Sequence, residues 1–206
     1  MAAGLAIALS SAAIPAALPS DALPVTINVL AASDLPQALV ADVLHEAAAI
    51  WHEAGVRLAW QRGRTVVPSA LRVIIGGGHS APTADGRLPL GWIAFDNDVH
   101  GTSQIYLSFP NAVDLLAGSH VGSTSIAIMP TKERDLLLSR AMGRALAHEI
   151  GHYLFGSKQH AADGLMRAVH TAAELFGVER HRFRITPAER AQLAAGRTSI
   201  YIAARD

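Results

Sequence analysis

The chain has 206 residues, half of them hydrophobic, and a mean hydropathy of +0.27, which supplies a core for one packed domain and excludes a disordered polymer. Its 17 Lys+Arg balance 17 Asp+Glu, so the basic excess of a nucleic-acid partner is absent. Cysteine is absent too, which excludes disulfides, thiolate ligands and a Cys nucleophile, and any metal must be held by His, Asp or Glu.

Residues 1–22 carry no charge before Asp21 and predict a secretory signal peptide. An apolar segment from Leu5 to Leu9 is followed by small residues, with Ser11 and Ala13 suited to cleavage. Pro15 and Pro19 break the run too much for a membrane span, and the competing reading is a disordered Ala-rich tail. A secreted or periplasmic protein without stable membrane insertion is expected.

Pro24–Leu30 alternates β-branched residues and predicts a first strand. From Pro36 to Glu53, Val40, Val43, Leu44, Ala47, Ile50 and Trp51 share one helix face, with Asp34 as N-cap and Gly55 as the stop. Val56–Trp60 and Ala70–Ile75 predict two more strands, and this opening implies a mixed sheet with a helix on one face. A Gly-, Ser- and Pro-rich loop runs from Gly76 to about Pro89. Gly91–Phe95 and Gln104–Phe109 predict a hairpin with a long loop, and Asn111–Leu116 one or two helical turns. Pro130-Thr131 introduces a long helix from Lys132 to about Phe155, and a shorter one is expected near Ala172–Leu175. Thr186, Pro187 and Glu189 supply an N-cap, a first-turn proline and a capping-box acid for the last helix.

Within the long helix, His148-Glu149-Ile150-Gly151-His152 is an H-E-x-x-H sequence. At about 3.6 residues per turn the two histidines lie one turn apart on one face, and their imidazoles can converge on one ion. Zn²⁺ suits them, because it accepts nitrogen ligands in a tetrahedron. Glu149 can reach a water on the metal without being a ligand. The metal lowers the pKa of that water toward neutrality, and the carboxylate takes its proton as it attacks a carbonyl. Catalytic zinc needs a third protein ligand. Gly156 can end the helix in the left-handed conformation, and the chain then turns back to bring His160, eight residues after His152.

With Met166 following in Gly164-Leu165-Met166-Arg167, this set resembles the metzincin zinc peptidases. In them the helix breaks at a glycine, a third His ligates zinc and a methionine turn lies beneath the metal. The order of strand, helix, four further strands and active-site helix is similar to the metzincin N-terminal subdomain. The spacing here is HExxHxxxGxxxH, each gap one residue longer than the usual HExxHxxGxxH, with Phe155 and Lys158 at the usual places of the glycine and the last histidine. The resemblance implies an α+β fold: a mixed, mostly parallel twisted sheet of about five strands, a backing helix and a long active-site helix. It implies a single metallopeptidase domain over 23–206, divided into subdomains at about 23–156 and 157–206. It further implies a monomeric zinc-dependent endopeptidase acting on peptides or proteins. His148, His152 and His160 would hold zinc, Glu149 would be general base and later proton donor, and Met166 the floor. Gly91–Phe95 would be the edge strand that pairs with an extended substrate.

Two other readings stay open. In one, similar to the gluzincins, Glu174 on the following helix is the third ligand of a regulatory peptidase, with Asp163 and His170 as lesser candidates. In the other, the protein binds zinc without catalysis, in a closed site with Asp163 as fourth ligand. Ala168 stands where some metzincins place an oxyanion-stabilising Tyr, which leaves that task to the metal and a backbone N–H. Tyr153 and Phe155 read as helix packing. His45, His52, His79, His100, His120 and His181 lack ligand spacing. Asp96-Asn97-Asp98 reads as a solvated turn rather than a Ca²⁺ site, and residues 76–78 lack the Lys-Ser/Thr of a phosphate loop.

Overall fold

A computed structural model of the chain describes residues 24–62, 71–76, 78, 86–96, 102–119, 126 and 128–203, with side chains to residue 195. The predicted signal segment lies outside the described residues, as do His79, Asn97, Asp98, His100 and His120. Strands β1 (Val25–Ala31), β2 (Leu58–Arg62), β3 (Leu71–Gly76), β4 (Gly91–Ala94) and β5 (Ser103–Ser108) form one sheet in the order β2-β1-β3-β5-β4. All neighbours are parallel except β4 and β5, whose antiparallel pairing is the predicted hairpin. The α+β class and the mostly parallel five-stranded sheet are as expected from the sequence.

Period-two alternation decides which face of the sheet is dry. On β3, Leu71, Val73 and Ile75 are buried while Arg72 and Ile74 are only partly so. Register aligns Val29, Val73, Ile105 and Ile93 in one row across four strands. That row joins one core with helices α1 (Gln37–Glu53) and α3 (Thr131–Phe155). All six apolar residues predicted for the buried face of α1 lie on it. The helix starts at Pro36, not Asp34, and no side chain caps it. Pro36 is the N-cap, at φ −58° and ψ 130°, and its carbonyl accepts the first helical bond from the Val40 N–H at 3.1 Å. Gly143 lets α3 approach α1 closely, since a Cβ there would come within 2.5 Å of the Glu46 Cβ.

Helix α2 (Phe109–Gly118) starts where the sequence predicts the end of a strand. Ser108 is its N-cap and accepts a hydrogen bond from the Asn111 N–H at 3.3 Å. Beyond α3 come α4 (Ala172–Phe176), a 3-10 turn at His181–Phe183 that the sequence reading misses, and α5 (Pro187–Ala203). The predicted capping box opens α5: the Thr186 N–H donates to Glu189 Oε2 at 2.6 Å, and the Glu189 N–H donates to Thr186 Oγ1 at 3.3 Å.

One buried cation ties this C-terminal segment to both long helices. Arg144 of α3 is 1% exposed; its Nε donates to Glu46 Oε1 of α1 at 3.0 Å. Its remaining nitrogens donate to the carbonyls of Glu174, Leu175 and Val178, and its Cζ lies 4.7 Å from the centre of the Phe183 ring. Arg180 donates to the other Glu46 oxygen at 2.7 Å. Burial alone would raise the Glu46 pKa, but the Arg180 hydrogen bonds and the charges of Arg144 and Arg180 outweigh it and hold the carboxyl below its usual value.

Helix α3 ends at Gly156 with φ +59°, ψ 30°. The Ser157 N–H reaches back to the His152 carbonyl at 3.1 Å and the Gly156 N–H to that of Tyr153 at 3.2 Å, a Schellman closure. An L side chain at this φ is strained, so Gly156→Ala is expected to cost about 1–2 kcal/mol. A lowered thermal midpoint would register it.

Candidate metal centre

The last two turns of α3 carry His148, Glu149 and His152, and the αL turn at Gly156 sends the chain back past His160. The ring centres of the three histidines lie 4.7, 5.0 and 5.3 Å apart, with His160 stacked on His148 at 23°. One ligand atom from each lies within 4.8 Å of the other two. Two backbone carbonyls orient the helical pair. The Nδ1 of His148 meets the Leu165 carbonyl at 2.8 Å and that of His152 meets the Ser157 carbonyl at 2.7 Å. A carbonyl only accepts, so each Nδ1 carries the proton and each Nε2 keeps a free lone pair. Burial pushes the His148 pKa down to about 4 and lowers that of His152, which keeps both rings neutral at physiological pH. Three imidazoles, two of them held neutral with the lone pair free, fit a tetrahedral ion such as zinc.

The loop that brings His160 is fastened by its neighbour. The Ala161 N–H donates to the Met166 carbonyl at 2.8 Å, and Ala161 bridges to Arg167. Gly164, at φ +77°, turns this segment, and the Leu165 N–H donates to the Arg184 carbonyl at 3.0 Å. Met166 is 3% exposed beneath the helix, and a Cβ at Gly151 would collide with its Sδ.

Glu149 lies beside the histidines but outside their group. It is 8% exposed, and burial pushes its carboxyl up to about 7 against the opposing effects of the Lys158 charge and a hydrogen bond from the Ile93 backbone. Ile93 belongs to β4, the edge of the sheet. Gly91 on the same strand has no side chain to hold it off: a Cβ there would meet the Glu149 Cγ at 3.2 Å. Between β4 and the segment after Met166 opens a cleft of about 580 Å³, with His148, Glu149, His152 and His160 in its lining.

Among the described residues, no other group of three or more potential ligands converges, and neither Asp163 nor Glu174 joins this one. Glu174 is engaged at the start of α4. It closes a capping box with Thr171, and Arg167 pairs with its Oε2 at 2.5 Å. The Thr171-x-x-Glu174 pattern is a sequence signal for that role. His170 is held by Arg167 at 3.0 Å and stacks on Phe183. Sequence reasoning misses the carbonyls of Ser157 and Leu165 and the Ile93 N–H, for which no side-chain identity gives a signal. It also misses Arg144, which reads as one more polar residue on a helix.

No protein-family model matches the chain, and no curated protein matches it by sequence. Its structure is similar to that of archaemetzincin from Methanopyrus kandleri, with a TM-score of 0.52 and 12% identity over 85% of this chain and 96% of that one. It is also similar to a zinc-dependent peptidase from Methanocorpusculum labreanum (strain Z), with a TM-score of 0.50 and 17% identity over 81% of this chain and 99% of that one. At these identities the likeness is one of fold, and the fold is shared along nearly the whole length of both neighbours.

Proposed function

We propose that the chain is a zinc-dependent peptidase in which His148, His152 and His160 hold the metal and Glu149 is the general base. One observation carries this reading: three imidazoles converge in an open cleft, two of them with Nδ1 bound to a carbonyl, beside a buried carboxyl. The fold likeness to archaemetzincin and to a zinc-dependent peptidase supports it. When bound, zinc supplies Lewis acidity, polarising a carbonyl and bringing the ionisation of water toward neutral pH.

The protein's own groups do the rest. The Leu165 and Ser157 carbonyls hold the two helical rings in one tautomer and one orientation. Glu149 accepts a proton on its carboxylate from the attacking water and returns it to the leaving amine nitrogen, held for both transfers beside the histidines by its contacts with β4. The edge strand β4 offers backbone groups along the cleft for an extended peptide, so main-chain pairing aligns the substrate. The lengthened HExxHxxxGxxxH spacing is a variant of the metzincin pattern in this reading, with Met166 as its floor.

Elemental analysis of wild type and His160→Ala, each paired with a quenched-peptide assay, tests the assignment. One zinc per wild-type chain is expected, with cleavage that a chelator abolishes and added zinc restores. The variant should lose both metal and cleavage. Full zinc and activity in His160→Ala would overturn the three-histidine site.

A further inference from the structure

The cleft is electrically lopsided. Among the described residues its lining contains Arg87, Arg144, Lys158 and Arg167 but only one carboxylate, Glu149. Three of those cations have partners already: Arg144 pairs with Glu46 at 3.0 Å, Arg167 with Glu174 at 2.5 Å, and Arg87 is engaged as well. Lys158 differs from them. It is exposed on the loop between His152 and His160, and among the described residues no ion pair engages it. Its ammonium lies over the Phe95 ring, 5.8 Å from the centroid.

Phe95 directly follows β4, so Lys158 stands at the C-terminal end of the edge strand, while Arg87 lines the cleft ahead of the other end. The strand has only 4 residues. At about 3.3 Å per residue its length is roughly 13 Å. Side chains of an extended segment laid along its C-terminal half would therefore pass near the Lys158 ammonium. The low-dielectric walls of a cleft strengthen such an attraction beyond what an open surface gives.

We propose that this cleft selects peptides with an acidic side chain within a few residues of the cleaved bond, and that Lys158 reads that charge. The proposal rests on the peptidase reading for the position of the bond but not for the binding preference. Fluorescein-labelled peptides, identical except for Glu, Ala or Lys at one position near the centre, test it by fluorescence anisotropy at low salt. The metal-loaded and metal-free protein are both titrated, and cleavage of the same peptides is followed separately. Wild type is expected to bind Glu over Ala by about three- to tenfold, with Lys weakest and the spread narrowing as salt is added. Lys158→Met should flatten the series and Lys158→Glu should invert it.

An unchanged order in Lys158→Glu, no charge preference in wild type, or no peptide binding at all would each overturn the proposal. So would an equal loss of cleavage across all three peptides without a change in their binding order, because that pattern marks a group acting on the reaction rather than on the side chain. Binding in the expected order with no cleavage of any peptide would refute the peptidase reading and leave the charge preference standing. Cleavage without charge order would do the reverse.

Discussion

Glu149→Gln is expected to retain the metal and lose hydrolysis, with kcat/KM falling by a factor of roughly 10²–10⁴, the usual scale for a positioned proton carrier. The substitution preserves shape. A glutamine oxygen can still accept the Ile93 backbone hydrogen bond, and the side chain still fits beside Gly91. What disappears is the ability to take a proton. The three histidines and their carbonyl partners are untouched, so zinc content should stay at the wild-type level. Elemental analysis beside single-peptide kinetics checks both halves, and wild-type turnover in the variant would sink the role given to Glu149.

The second large effect lies in the core. Arg144→Met should destabilise the fold by about 2–4 kcal/mol, below the full cost of an unpaired buried charge and above that of a single lost hydrogen bond. Glu46 would keep Arg180, but three carbonyls would lose a donor and Phe183 would lose its cation. The deficit should depend on pH. The folded state holds Glu46 below its ordinary value of 4.5, so its contribution is present above that value and lost as pH falls through the lowered folded one. The gap between wild type and Arg144→Met should therefore narrow in acid. Denaturant melts at neutral pH and below the carboxylate range measure both effects, and a pH-independent gap would assign the loss to packing alone.

The sheet, α1 and α3 were legible because their signals are repetitive. Apolar residues alternate through Leu71, Val73 and Ile75, and they recur at helical spacing from Val40 to Trp51. Errors cluster at the ends of elements, where one residue decides. Asp34 looks like a cap, yet the N-cap is Pro36, two residues later. The Ser108-Phe109-Pro110 sequence carried a capping signal that the β-favouring Phe109 obscured. At the site, the pairing of His148 with His152 could be read from helical spacing, whereas spacing alone left His160 and Glu174 both open as the third partner. The orientation of the helical pair could not be read, since it comes from carbonyls contributed by Ser157 and Leu165. The Glu46–Arg144–Arg180 cluster was invisible for another reason: it brings together three elements far apart in sequence, and nothing in one helix marks its arginine as buried.

Helix α3 is gripped along one face, at Ala147 and Gly151, the residues just before His148 and His152. Trp51, fully buried, donates its indole N–H to the Ala147 carbonyl at 3.0 Å, while Met166 presses its sulfur into the gap left by Gly151. Together these contacts fix the helix in rotation about its own axis. An imidazole tip stands about 5–6 Å from that axis, so a roll of some 10° would swing it by roughly 1 Å. Reactive geometries can lose about a hundredfold in rate over such a displacement. An indole on the core side of the helix, outside the lining of the cleft, thus sets the angular bearing of the histidines.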